Sequence, residues 1–170
     1  MTTVIRVAVV ALVVTVTVTL QVSIFSHLSW GGVVPDLALI VVVAAALTRG
    51  PGYASLVGFG AGLVLDLAPP ADHIAGRWAL SLVIVGALTG LARPSGQASV
   101  IAKVAVVAAG AFIGTSVFAL SGVVLRESGA TVSAALQVVP RAVGYDVLVT
   151  PFVLPLVLLL FRRLQPAERW

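Results

Sequence analysis

The stretch PDLALIVVVAAALTRGPGYASLVGFGAGLVLDL, residues 35–67, decides the fold class. Two uncharged runs, Leu37 to Thr48 and Gly50 to Leu65, are interrupted by Arg49-Gly50-Pro51-Gly52. No straight helix tolerates that break at its centre, because proline removes a backbone donor and clashes with the preceding turn. The stretch therefore predicts a tight helical hairpin. With flanking residues, each arm reaches about 15 to 19 residues, or roughly 22 to 28 Å at 1.5 Å per residue. Such helices are short for a bilayer, whose hydrocarbon core takes about 20 residues to cross. Short spans persist by thinning the bilayer, by oligomerising or by sheltering behind longer neighbours.

Working outward, the same test assigns further spans over 7–26, 78–92, 98–125 and 143–161, with the hairpin arms at 34–48 and 53–67. The alternation Val14-Thr15-Val16-Thr17-Val18-Thr19 would read as a strand in water. In lipid, an isolated strand leaves its backbone unsatisfied, so a helix whose threonines bond back to the backbone is preferred. That first segment is too long for a signal-peptide core and lacks a small-x-small cleavage site, so it is expected to remain as an anchor. The composition agrees, since 60% of the residues are hydrophobic, only 9% are charged, and the mean hydropathy is +1.17. Ordinary soluble domains carry roughly 25% charged residues. The expectation is an all-α membrane protein, a six-helix transmembrane bundle forming a single domain over residues 1–170.

The net charge of +4 does not point to nucleic acid, because the basic residues stand singly between apolar blocks. It reads instead as topology. Arg6, Arg49, Arg93, Lys103, Arg162, Arg163 and Arg169 collect on one side of the six-span arrangement, and Arg77, Arg126 and Arg141 on the other. The positive-inside rule then places both termini in the cytoplasm.

Charges near or within spans carry the functional signal, because they are costly there. Asp36, Asp66, Asp146, Arg77 and Arg141 are expected to form an outer-side charge cluster. Asp36 follows Pro35 at a helix start, where exposed N–H groups favour a carboxylate, so it reads as a helix cap or a binding residue. Asp66 closes a helix whose C-terminus disfavours negative charge, so it needs a partner, and an outer-side arginine across a helix contact is expected to supply it. Ala54, Gly58, Gly62 and Asp66 recur every four residues and so share one helix face. Gly86/Gly90 and Gly110/Gly114 repeat the spacing. Such pairs predict close packing of the third, fourth and fifth helices and say little about a ligand.

The inventory disfavours catalysis. With no cysteine there is no thiolate nucleophile, iron–sulfur ligand or disulfide, and His27 and His73 are not spaced for a metal. No phosphate-cradling loop appears. Paired aspartates could serve a membrane aspartyl peptidase, but the lipoprotein signal peptidases surround theirs with asparagine motifs, and this chain has no asparagine. No cofactor or metal is expected.

Pro35-Asp36-Leu37, the glycine-containing break, Gly58-Phe59-x-x-Gly62-Leu63-x-x-Asp66 and Gly76-x-x-Ala79-Leu80 together resemble MreD, the rod shape-determining membrane protein family. Chain size and the six-span pattern extend the similarity over the whole chain. Arg77 directly after Gly76 and the charged pair Asp72-His73 depart from the usual pattern. The resemblance implies a noncatalytic scaffold of the cell-wall elongation complex in the bacterial cytoplasmic membrane. Its partners would be an MreC-like single-pass protein, MreB, RodA and its transpeptidase, directly or indirectly, together with membrane lipids. Ala54, Gly58, Phe59, Gly62, Leu63, Gly86, Gly90, Gly110 and Gly114 are the expected packing and partner surface. The family is similar in fold to the S components of energy-coupling-factor transporters, so a vitamin-binding transporter subunit is the alternative. A scarcity of aromatic and polar groups in the outer loops favours the scaffold.

Overall fold

The computed structural model describes residues 3–29, 32–69, 73–93 and 98–164. Within them the chain forms six α-helices: α1 (Thr3–Ser23), α2 (Leu37–Arg49), α3 (Pro51–Leu67), α4 (Arg77–Leu91), α5 (Val100–Val124) and α6 (Val132–Arg163), with a 3-10 turn at Phe25–Leu28. Segments Val4–Ser23, Val100–Val124 and Val132–Arg163 are long and apolar enough to cross a membrane, at 20, 25 and 32 residues. Leu12, Leu56, Phe112, Leu148 and Phe152 stand exposed on the outside of the bundle, a surface that suits lipid and not water. These features mark a membrane protein.

The hairpin forms where expected. Gly50 ends α2 and begins α3 with φ at 82°, a left-handed angle that suits a residue without Cβ, and Pro51 occupies the first turn of α3, where its missing N–H costs nothing. At 13 residues, α2 is about 20 Å long. It sits at the centre and packs against every other α-helix. Every residue from Leu37 to Ala46 is buried. A helix apolar on all faces has no other stable place.

Two small-residue faces bring α3 and α4 together. Gly58 lies on the Leu82 backbone, Gly62 on Trp78 and Ala79, Gly86 on Ala54, and Gly90 on Pro51. A Cβ at any of the four would approach backbone atoms to under 3.0 Å, so this interface admits only glycine. Gly110 and Gly114 of α5 instead meet side chains, with Val43 Cγ2 at 3.2 Å from a Cβ built on Gly110 and Val85 Cγ2 at 3.0 Å from one on Gly114.

The sixth helix differs from the expected span. The sixth span was expected over 143–161, yet α6 starts at Val132 and continues through Pro140 for 32 residues. Thr131 starts it early, its Oγ1 accepting from Ala134 N at 3.2 Å, and Ser133, Ala134, Ala135 and Leu136 do not interrupt a helix. The first helix ends at Ser23 rather than Ser26. Pro94-Ser95-Gly96, which follow the expected fourth span, and Asp72 lie outside the described residues.

Candidate functional site

The bundle has two unlike ends. One holds the N-termini of α2 and α4, and its polar groups meet in two separate assemblies.

In the first, three side chains close the buried N-terminus of α2. The opening N–H groups of a helix have no intrahelical acceptor, and here side chains from the end of α1, the cap of α2 and the middle of α6 supply one. Asp36 Oδ1 accepts from Leu39 N at 2.9 Å, Gln21 Oε1 of α1 accepts from Ala38 N at 3.0 Å, and Asp146 Oδ1 of α6 accepts from Asp36 N at 2.6 Å. The cap expected of Asp36 is therefore present, with two further acceptors beside it. Asp146 is 1% exposed, and its Oδ2 has no hydrogen-bond partner among the described residues. One turn on, Thr150 donates its hydroxyl to the Asp146 carbonyl.

The second assembly is built on Asp66, at the end of α3. Its Oδ2 accepts from Gly76 N at 2.8 Å and from Ala79 N at 3.1 Å, and its Oδ1 accepts from Trp78 N at 3.1 Å. The carboxylate thus caps the N-terminus of α4. Gly76, at φ 98°, makes the left-handed turn that aims these N–H groups at it. His73 Nδ1 lies 3.7 Å from Asp66 Oδ1.

This corrects the expected pairing of Asp66 with an arginine. Arg77, 6% exposed, turns away to α5. Its Nε donates to Ser121 Oγ at 3.1 Å, its Nη2 to the Phe118 carbonyl and its Nη1 to Glu127 Oε2. Its guanidinium lies 4.0 Å from the Phe118 ring centroid. Trp78 stacks on the same ring at 4.2 Å, and His73 meets its edge at 5.3 Å. Gly122 leaves the space that the guanidinium occupies. Glu127 Oε1 also accepts from Ile74 N at 2.6 Å. That N–H bond, with help from Arg77, holds the Glu127 carboxyl below the usual glutamate range.

The expected five-residue charge cluster is therefore divided. Asp36 and Asp146 meet at α2, Asp66 sits at the start of α4, Arg77 pairs with Glu127, and Arg141 is exposed without an ion pair among the described residues. Gln21 and Glu127 complete the assemblies, and neither stands out in the sequence. Gln21 lies in an apolar run, and Glu127 in a segment that reads as loop.

At the opposite end, Arg49 Nη2 donates to the Leu164 carbonyl at 2.6 Å and its guanidinium lies 4.6 Å from the Tyr53 ring centroid. A cation there suits the C-terminus of α6.

Between α1 and α3 runs an apolar groove of about 300 Å³ lined by residues from Val7 to Thr15 and from Tyr53 to Val64. Gly60 forms bare floor, with nothing within 4 Å of an added Cβ. Thr15 and Thr19 spend their hydroxyls on the carbonyls of Ala11 and Thr15. Phe59 and Leu63, expected in the packing surface, are 49% and 38% exposed and lie outside the lining of this groove. Comparison with family models, curated proteins and solved structures finds no match to this chain.

Proposed function

We propose that the chain is a noncatalytic, six-span scaffold of the MreD type in the bacterial cytoplasmic membrane, serving cell-wall elongation by holding the single transmembrane helix of an MreC-like partner. The observation that carries this reading is the division of the Gly58-Phe59-x-x-Gly62-Leu63-x-x-Asp66 motif into two faces. Gly58, Gly62 and Asp66 are consumed by α4, whereas Gly60 floors the groove against α1 on another face of α3, and Phe59 and Leu63 stay exposed outside that groove. An apolar groove open along its side, with the hydroxyl of its Thr15 spent on the Ala11 carbonyl, suits a helix better than a polar small molecule. In the same reading, the end bearing Asp36, Asp66 and Glu127 faces outward, and both termini, with Arg49, face the cytoplasm.

The test is co-purification of the full chain with the MreC-like protein of the same organism. Gly60→Leu fills the groove without meeting backbone, so it should leave folding intact and reduce partner recovery at least tenfold. Undiminished recovery would refute the groove as the partner site, and labelling of Ser128→Cys only from the cytoplasmic side would overturn the orientation. One feature favours the second reading, a vitamin-binding transporter subunit. A depression of about 330 Å³ at the Asp66 end is lined by His73, Arg77, Phe118, Glu127 and Thr131. A vitamin retained through purification and lost in Phe118→Ala would support it.

A further inference from the structure

A cavity between α5 and α6 lies at the other end of the bundle. It has a volume of about 580 Å³ and separates the opening of α5, at Val100, Lys103 and Val104, from α6 between Thr150 and Arg162. Its walls are apolar, formed by side chains such as Leu158 and Leu159, and Thr150 turns its hydroxyl onto the Asp146 carbonyl. Two cations, Lys103 and Arg162, line the same cavity. Neither forms an ion pair with a described residue. The neighbouring end segments carry Arg49, Arg93 and Arg163, and the one acid there in the sequence is Glu168, outside the described residues. The cavity thus combines an apolar slot of acyl-chain character with two unneutralised cations from different helices.

We infer that this cavity binds one anionic glycerophospholipid, with an acyl chain between α5 and α6 and the phosphate held by Lys103 and Arg162. The inference goes beyond the scaffold reading and does not rest on it. The charge selects the headgroup, since basic pockets between helices near a membrane surface attract anionic lipids. The flexible lysine stem follows the apolar wall while its ammonium reaches the interface, and the arginine fork suits phosphate oxygens. A zwitterionic lipid fits the slot equally well but offers less net charge to the cations.

The test uses the full chain in nanodiscs containing equal phosphatidylglycerol and phosphatidylcholine of identical acyl chains, followed by native mass spectrometry of the released protein. One phosphatidylglycerol should stay bound in preference to phosphatidylcholine. The Lys103→Gln/Arg162→Gln double variant should lose roughly 25-fold in that preference, the worth of two cations beside an anionic lipid. The double variant Arg93→Gln/Arg163→Gln removes the same net charge away from the cavity and should keep it. Leu159→Trp fills the slot and should release both lipids. Equal helical circular dichroism confirms that each variant is folded. Inorganic phosphate in excess should not displace the lipid, because the chain holds it. The inference is overturned if the lipids are retained equally, if the Lys103/Arg162 and Arg93/Arg163 variants behave alike, or if phosphate displaces the anionic lipid.

Discussion

Replacing Asp66 by asparagine separates the two roles open to this carboxylate, because the side chain keeps its size and loses its charge and one acceptor. In the structure Oδ2 serves Gly76 N and Ala79 N, and Oδ1 serves Trp78 N. The introduced amide would keep its oxygen on two of these donors and face the third with an NH₂ group. One hydrogen bond to a charged acceptor is lost, at about 1.5 to 3 kcal/mol, and the helix N-terminus loses its anion, at about 0.3 to 2 kcal/mol. The sum is about 2 to 5 kcal/mol. For a chain of this length each kcal/mol lowers Tm by roughly 2 to 4 °C, so Asp66→Asn should melt about 4 to 20 °C below the parent in detergent micelles, read by circular dichroism. Asp66→Ala, which strands all three N–H groups, should cost more. The charge swap of Asp66 with Arg77 should worsen matters, since it places a cation on a helix N-terminus and two acids together at Glu127. A melting point for Asp66→Asn within about 1 °C of the parent, or recovery in the swap, would refute the cap.

Further outcomes follow from the same geometry. Gly62→Ala drives a Cβ into the Ala79 backbone and should cost about 1 to 3 kcal/mol. Gly110→Ala meets only methyl groups at 3.2 to 3.4 Å and gains about 1 kcal/mol of helix propensity, so its melting point should hardly move; equal losses would refute the distinction. Gln21→Leu and Asp146→Leu each strand a buried donor at the start of α2, at about 1 to 3 kcal/mol, while Asp146→Asn keeps the acceptor and should retain most stability in the same melts. The Glu127 carboxyl is held low in the folded chain, so its contribution is complete above the ordinary glutamate pKa of 4.5 and disappears as pH falls through the lower folded value. Hydrogen exchange at residues 73–76 should therefore quicken, beyond its intrinsic pH dependence, between pH 5 and pH 3 in the parent; Glu127→Gln should lack that extra change.

What the sequence made legible was whatever depends on apolar pattern and chain breaks. The hairpin at Arg49-Gly50-Pro51-Gly52, the buried α2 and the Ala54/Gly58/Gly62 face all follow from composition and spacing. The partner of Asp66 did not, because a search among charged side chains overlooks backbone N–H groups, and here a helix N-terminus ten residues further on supplied the positive end. The C-terminus of α3 does disfavour a carboxylate, and the compensation lies in the next helix. Residues 131–137 hid the start of α6 because their polar side chains interrupt the apolar run, while Thr131 as cap and the alanines after it favour helix. Gln21 was invisible for a related reason: a single amide in an apolar run gains meaning only when folding sets it against an unmet donor on another helix.

The placement of charge follows from the shortness of the central helices. A helix of 13 to 17 residues ends inside the bundle or near its edge, where water is scarce and unsatisfied backbone groups cost several kcal/mol each. All four described carboxylates meet this demand, with Asp36 and Asp146 taking donors at the start of α2, Asp66 taking α4 donors and Glu127 taking Ile74 N just before α4. At the other end Arg49 takes the Leu164 carbonyl at the close of α6. Acids stand at helix beginnings and this arginine stands at a helix end, as the helix dipole favours. The acids are thereby committed to the fold, whereas Lys103 and Arg162 are left without acidic partners among the described residues. Charge available to an outside molecule is therefore positive, and Lys103 and Arg162 bring two such cations to one cavity, away from the aspartates that stand out in the sequence.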